Sequence, residues 1–485
     1  MEVRRQEHLA PHRRLLALLF LAGGAAVFAQ AQNQSSAQNP FWGSLTAQPV
    51  TGEPLKLSLD DAIQRGLKNN LGLKEVENEE KTYHAERNEA LQLFLPTIKL
   101  DGDTGYHMHD LAALGFGPKT ISKFTSLFPG GTIPAGLSLI TRDYLTEGKI
   151  QYDETLFSGP VIQGLKAANV AERAAHFAKM TARGEVVQQV AVAYLRALAD
   201  ESDVENAKAL VDQSQVFADH AHDEHVAGVA ANLDELRAKV QLQTQQQALI
   251  AAQNQQAKDL VLLKREIGVD PEQVIELTDP APYGDLAEQT PEEVKATAYQ
   301  NRQDYQNYQN QAVAFKALHN VYRSERLPSL SFSGYYGTST VNGAGTHGDF
   351  LAMGTFAFPI FREAKLRGDS DIAKAKMEET NAQLDDLRNH IDEQVRAALL
   401  DVSANKRLVE VARSNVDLAK RELSDETDRV NAGVDDNLPL VTAQATLAAA
   451  QNNLVESLYA YNVSKIGLAR ASGVLEAQYR DYLGR

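Results

Sequence analysis

The chain has no cysteine, a single tryptophan, and no apolar run approaching the roughly 18 residues that mark a transmembrane helix. Without cysteine there is no disulfide scaffold, thiolate metal site, cysteine nucleophile or lipid-modified N-terminal cysteine. The Gly-rich Lys-Ser/Thr phosphate loop is missing too, so nothing here is built to use ATP. Basic charge is also short: 64 Asp plus Glu stand against 48 Lys plus Arg, a formal net charge of −16, and no local basic stripe offsets it. That balance excludes a nucleic-acid binder. Disorder is excluded as well, because the chain is 43% hydrophobic and can bury a large core. At about 150 residues per domain, 485 residues would make about three domains. The internal periodicity says otherwise.

The first residues read as an export signal. Arg4, Arg5, Arg13 and Arg14 form a basic n-region, Leu15 to Val27 is apolar, and Val27-Phe28-Ala29 offers a small-residue cleavage site. Removing its four Arg and two Glu would leave a net charge near −18. With no later apolar helix, membrane insertion of the mature chain would need a β-barrel.

Comparing the chain with itself reveals a duplication. Ala227-Gly228-Val229, Asn232-Leu233, Ala238, Leu242, Leu249, Leu263 and Gly268-Val269 fall, at one offset of 205, on Ala432-Gly433-Val434, Asn437-Leu438, Ala443, Leu447, Leu454, Leu468 and Gly473-Val474. Upstream the offset is 232: Leu95-Pro96-Thr97 matches Leu327-Pro328-Ser329. The extra residues of the first copy belong to a long Gly/Pro-rich loop, about 107–143. Ser58 with Asp61 and Thr290 with Glu293 have capping-box spacing, predicting helices that start near 58 and 290 and run to Pro96 and Pro328.

The segments after those prolines alternate with period two. Ile98, Leu100, Gly102, Thr104 and Tyr106 share one face, with Lys99, Asp101 and Asp103 on the other. Returning strands around Tyr144 to Tyr152 and Phe350 to Phe358 repeat this contrast, a pattern shared by a transmembrane barrel and by a half-buried sheet of a soluble domain. Two proline-free stretches follow, each about 66 residues and therefore roughly 100 Å as a helix, with coiled-coil-like apolar seams.

The boundaries are a signal at 1–29, an N-terminal extension at 30–56, a first structural repeat at 57–285, a second at 286–475 and a tail at 476–485. The first repeat holds strands at about 97–106 and 144–153, a long helix at about 160–226 and a helix at about 232–267. In the second, the strands are at about 329–338 and 350–359, the long helix at about 364–430 and the returning helix at about 436–472. The fold class is mainly α with a small β part. Four strands cannot close a barrel alone.

The paired Leu-Pro-(Thr/Ser) strand openings, the junctions Gln151-Tyr152-Asp153-Glu154-Thr155-Leu156-Phe157-Ser158-Gly159 and Phe356-Ala357-Phe358-Pro359-Ile360-Phe361, and the two Ala-Gly-Val turns together resemble the TolC family of outer-membrane efflux proteins. They span residues 57 to 474. Arg362-Glu363 departs from the small or glycine-containing pair of many relatives, and the first loop is unusually long. The resemblance implies a homotrimer with a shared transmembrane β-barrel and a periplasmic tunnel of antiparallel helices. It implies a passive outer-membrane channel of a tripartite efflux or type I secretion system. Its partners would be a periplasmic adaptor (membrane fusion) protein and an inner-membrane transporter of RND or ABC type.

Several residues follow as candidates. Asp425 and Asp428 share a helix face near the second turn, so three copies with that face toward the axis would stack two carboxylate rings as a periplasmic gate, with Arg429 or Arg421 holding it shut; ordinary solvated helix residues are the plainer reading. Gly228, Leu233, Gly433 and Leu438 are the expected adaptor contacts at the hairpin tips. Among His220, His222 and His225 the i,i+3 pair has metal-sharing spacing, with Asp223 and Glu224 expected to set its titration; solvated histidines are the plainer reading. No catalytic constellation is present and no cofactor is called for. The acidic balance fits either a cation-favouring tunnel or a solvated surface. The competing function is a soluble periplasmic coiled-coil scaffold or adaptor protein without a pore, which leaves the four amphipathic strands unexplained.

Overall fold

The structure is a computed structural model, and it describes residues 39–45, 49–110, 118–127, 140–228, 231–280, 284–342, 345–432 and 437–484. The signal, most of the long first loop and Gly433 lie outside the described residues. The chain divides into two compact units, one holding 83–171 and 313–378, the other 172–312 and 379–485 with the described residues up to 82.

The first repeat opens with β1 (Leu55–Leu57), α1 (Leu59–Asn69), α2 (Leu71–Gln92), β2 (Thr97–Asp110) and β3 (Ile140–Phe157). Then come the long helix α3 (Gly159–Val226), the returning helix α4 (Asn232–Ile267) and β4 (Ile275–Leu277). The second repeat is α5 (Pro291–Asn301), α6 (Gln303–Ser324), β5 (Ser329–Val341), β6 (Thr346–Ala357), α7 (Glu363–Asn431), α8 (Asn437–Ala471) and a terminal α9 (Leu475–Leu483).

The unbroken helices expected from 58 and 290 are each two helices. At the first break Asn70 turns extended (φ −63°, ψ 131°), its side-chain oxygen accepts from the Leu73 N–H at 3.0 Å and its amide donates to the Phe41 carbonyl at 2.7 Å. The second break lies at Arg302 (φ −66°, ψ 119°), where Asp304 Oδ1 accepts from the Tyr305 N–H at 2.9 Å. A side chain that caps the next turn competes with continuing the previous one. The box at Thr290 and Glu293 is reciprocal, whereas Ser58 accepts the Asp61 N–H and donates to its carboxylate instead of completing a box.

In the first unit β2, β3, β5 and β6 form one antiparallel sheet in that order, leaving β2 and β6 as its edges. All four strands differ from the expected bounds: β2, β3 and β5 run longer, and β6 starts at 346 and stops at 357, since backbone pairing continues past the strongly alternating residues and ends before Pro359. A bulge at Thr155/Phe157 closes the β3–β5 ladder beside the start of α3.

In the second unit a large core joins Leu57, Ile63, Val186, Val190, Tyr194, Leu263, Ile267, Ile391, Val395, Ile466 and Leu468. Parallel β1–β4 pairing ties the chain's entry to the segment joining the repeats. A second cluster assembles Phe217 and Ala221 of α3, Ala238 of α4, Val416 and Leu423 of α7, and Leu440, Ala443 and Leu447 of α8. Repeat-related positions are buried alike: Ala238 and Ala443 are both 0% exposed, Leu263 and Leu468 0% and 1%. Gly268 and Gly473 end the returning helices with φ of 69° and 77°, the left-handed conformation that favours glycine.

Candidate functional site

The register separates the sheet into two chemically different faces. Cross-strand partners Ile98 and Tyr152, Leu100 and Ile150, Tyr106 and Tyr144, Ile150 and Tyr336, Tyr336 and Phe350, and Leu330 and Phe356 place apolar and aromatic side chains together. Ile98, Leu100, Tyr336, Phe350 and Phe356 are all well exposed on that face. Tyr106 and Tyr144 pack at 5.0 Å between ring centroids, and Tyr152 and Phe332 at 5.9 Å. The opposite face pairs Asp101 with Lys149, Asp103 with Glu147, and Lys99 with Gln151. Lys149 is its organising cation: its ammonium lies 2.5 Å from Glu147 and 4.7 Å from the centre of the Tyr335 ring, whose hydroxyl donates to Asp349 at 3.0 Å. The alternation weakens on β6, where Leu351 and Met353 share this second face. Among the described residues no helix is long and apolar enough to cross a membrane, which says nothing of a sheet.

In the second unit, the turn after α3 is closed by Gly228 at φ 77°, and Leu233 is exposed one step into α4. The start of α8 carries Leu438, whose side chain, like Gly433, is outside the described residues. The three histidines do not converge as a cluster facing Asp223 and Glu224. His222 Nδ1 lies 2.8 Å from Glu235 Oε1 and His225 Nε2 3.8 Å from Glu235 Oε2, while His220 faces Glu224 at 3.7 Å. Lys239 completes the set at 2.5 Å from Glu235, and with His222 it holds the Glu235 carboxyl down to about 2. Among the described residues no group of three His, Asp or Glu side chains is placed to hold a metal ion. The organising residue, Glu235, is one that the sequence reading missed. Its signal was a glutamate standing where the second copy has Leu440.

Asp425, Asp428 and Arg421 lie on one exposed face of α7, away from the buried Val416, Ala419 and Leu423. Arg429, more than half exposed, lies 3.6 Å from Glu426 one turn before it on the same helix. Also in this unit is an open cleft of about 870 Å³ lined by Arg302, Arg470 and Glu476. Its cations are already engaged, Arg302 with Asp304 at 2.6 Å and Arg470 with Glu185 at 2.8 Å.

Comparison with known proteins agrees with these features. The family model described as outer membrane efflux protein matches residues 62–269 and 295–474, one block in each repeat. The pyoverdine export outer membrane protein OpmQ of Pseudomonas aeruginosa is 24% identical over 307 residues, covering 62% of this chain; the match spans 64% of that relative's length. Among solved structures, a membrane protein from Pseudomonas aeruginosa superposes with a TM-score of 0.70 at 18% identity, covering 86% of this chain and 93% of that one. The outer membrane protein VceC of Vibrio cholerae gives 0.67 at 16% identity, covering 86% and 96%. At such identities the structural matches speak for the fold, while the family match covers most of the sequence in two blocks. The chain therefore belongs to the outer membrane efflux protein family, and its place is the outer membrane.

Proposed function

We propose that three copies of this chain close a twelve-stranded barrel and act as a passive export duct, carrying small molecules or polypeptides handed over by a periplasmic adaptor and an inner-membrane pump of RND or ABC type. The observation that carries this reading is the open sheet with one apolar-aromatic and one charged face. In lipid its two unpaired edges would leave backbone N–H and C=O groups unsatisfied, so a neighbour's edge must complete them. The face with Asp101, Asp103, Glu147 and Asp349 then lines the pore and favours cations. In the second unit, Asp425 and Asp428 of three chains form the constriction, with Arg429 or Arg421 holding it shut. Gly228, Leu233, Gly433 and Leu438 contact the adaptor.

The absence of cysteine gives a clean background for a test. Single cysteines introduced along β2 and β6 should cross-link, at matching registers, into a trimer-sized band in the outer-membrane fraction. Recovery of the chain as a soluble periplasmic monomer with no such band would reject the reading.

A further inference from the structure

In the second unit, Arg196 of α3 stands among four carboxylates drawn from three helices. Its Nε lies 2.9 Å from Asp200 Oδ1 on the next turn and 3.7 Å from Asp259 Oδ2 on α4, and its Nη1 lies 2.7 Å from Glu456 Oε1 on α8. The guanidinium also sits 5.2 Å from the centre of the Tyr459 ring of α8. Gln255 of α4 donates to Asp259 at 2.8 Å, and Asp203 of α3 feels both Glu456 and Arg196. Asp200 is only 2% exposed, and neither its Oδ2 nor Asp203 Oδ1 has a hydrogen-bond donor among the described residues.

Burial leaves Asp200 and Asp203 incompletely compensated by the one guanidinium, so these two carboxyls favour the protonated form. A metal is not the alternative, because no three of these groups are placed to hold one among the described residues. Burial first, and then the facing Asp259, push the Asp200 carboxyl up to about 7. Burial and Glu456 push Asp203 up to about 6. The second copy has no such device: Asn405 and Ser464 stand at the positions of Asp200 and Asp259.

We propose that Arg196, Asp200, Asp203, Asp259 and Glu456 form a proton-operated clamp, which draws the returning helices α4 and α8 onto α3 while the buried Asp200 carboxyl holds a proton and loosens them when it leaves. Asp200 and Asp203 have folded-state values above the ordinary carboxylate value. The stabilisation is therefore complete below about pH 4 and is lost as the pH rises through about 6 to 7. Acid tightens the helices at this level and neutral or alkaline surroundings relax them. The clamp needs only the packing within one chain, so it stands or falls separately from the channel reading.

Hydrogen exchange of the full-length protein in detergent, at about pH 5.5 and about pH 8 and corrected for intrinsic exchange, tests it directly. Amides around 252–262 and 452–462 should lose protection roughly tenfold at the higher pH, while 400–410 in the second copy should not change. Asp200→Asn should flatten the dependence, and Asp203→Asn should reduce it in case the first variant fails to fold. Equal protection at both pH values, or full dependence retained in Asp200→Asn, or in Asp203→Asn should Asp200→Asn not fold, would overturn the clamp.

Discussion

The two copies of the repeat share their apolar skeleton and differ in charge at matched positions. At the hairpin end of the first copy Glu235, 6% exposed, is held by His222, His225 and Lys239; in the second, the corresponding residue is Leu440, 4% exposed, with Thr427, Val430 and Gln444 at the positions of the other three. The same contrast appears further up, where the Asp200 and Asp259 positions are Asn405, which donates to the Ala460 carbonyl, and Ser464, which donates to the Tyr461 carbonyl. Duplication preserved what packs the helices and left the polar interior of each copy free to diverge. The titratable Asp200, Asp259 and Glu235 therefore stand on the first copy, and the second answers the same positions with the uncharged Asn405, Ser464 and Leu440.

The strongest test of the shared skeleton is Leu263→Ala against Leu468→Ala. Each should cost about 2–5 kcal/mol, and the two losses should be similar in thermal unfolding, because both side chains are almost wholly buried in one core. Clearly unequal losses would show that the copies do not share that core evenly.

Next in size is Glu235→Leu, which gives the first turn the second copy's solution. The Glu235 carboxyl is held below its usual range, so the support it gives the hairpin is present above about pH 4.5 and is lost as pH falls toward about 2. Acid-induced loss of protection at the 222–239 hairpin should be seen in the wild-type chain and be absent from Glu235→Leu. An acid transition unchanged by the substitution would place the sensitive group elsewhere.

Smallest is the pair of helix starts. Thr290→Ala, which dismantles a reciprocal box, should cost about 1 kcal/mol, and Ser58→Ala somewhat less, read from denaturant midpoints. A larger loss at Ser58 would mean that its hydroxyl bond to Asp61 matters more than a completed box.

What the sequence disclosed followed from the range of the interactions. Period-two alternation from Ile98 to Tyr106 and the long proline-free helices are local patterns, and they located the sheet and both hairpins. The breaks at Asn70 and Arg302 were hidden because they depend on side-chain caps, which apolar periodicity does not register. Three-residue strands such as Leu55–Leu57 and Ile275–Leu277 are too short to carry a pattern. The Glu235 knot was half legible: His222 and His225 stood out, but their partner lies across the turn. The Arg196 network was not legible, since Asp259 and Glu456 come from helices far along the chain. Asp425 and Asp428 were placed on one face by spacing alone, and the structure keeps that face exposed.

The central claim, that three chains complete one export duct, is tested most directly by the mass and the conductance of the purified protein in planar bilayers. Three chains around one duct should run as a trimer that opens discrete cation-favouring current steps, with Asp425→Asn and Asp428→Asn weakening that preference and any block by divalent cations. A monomer that passes no current would contradict it.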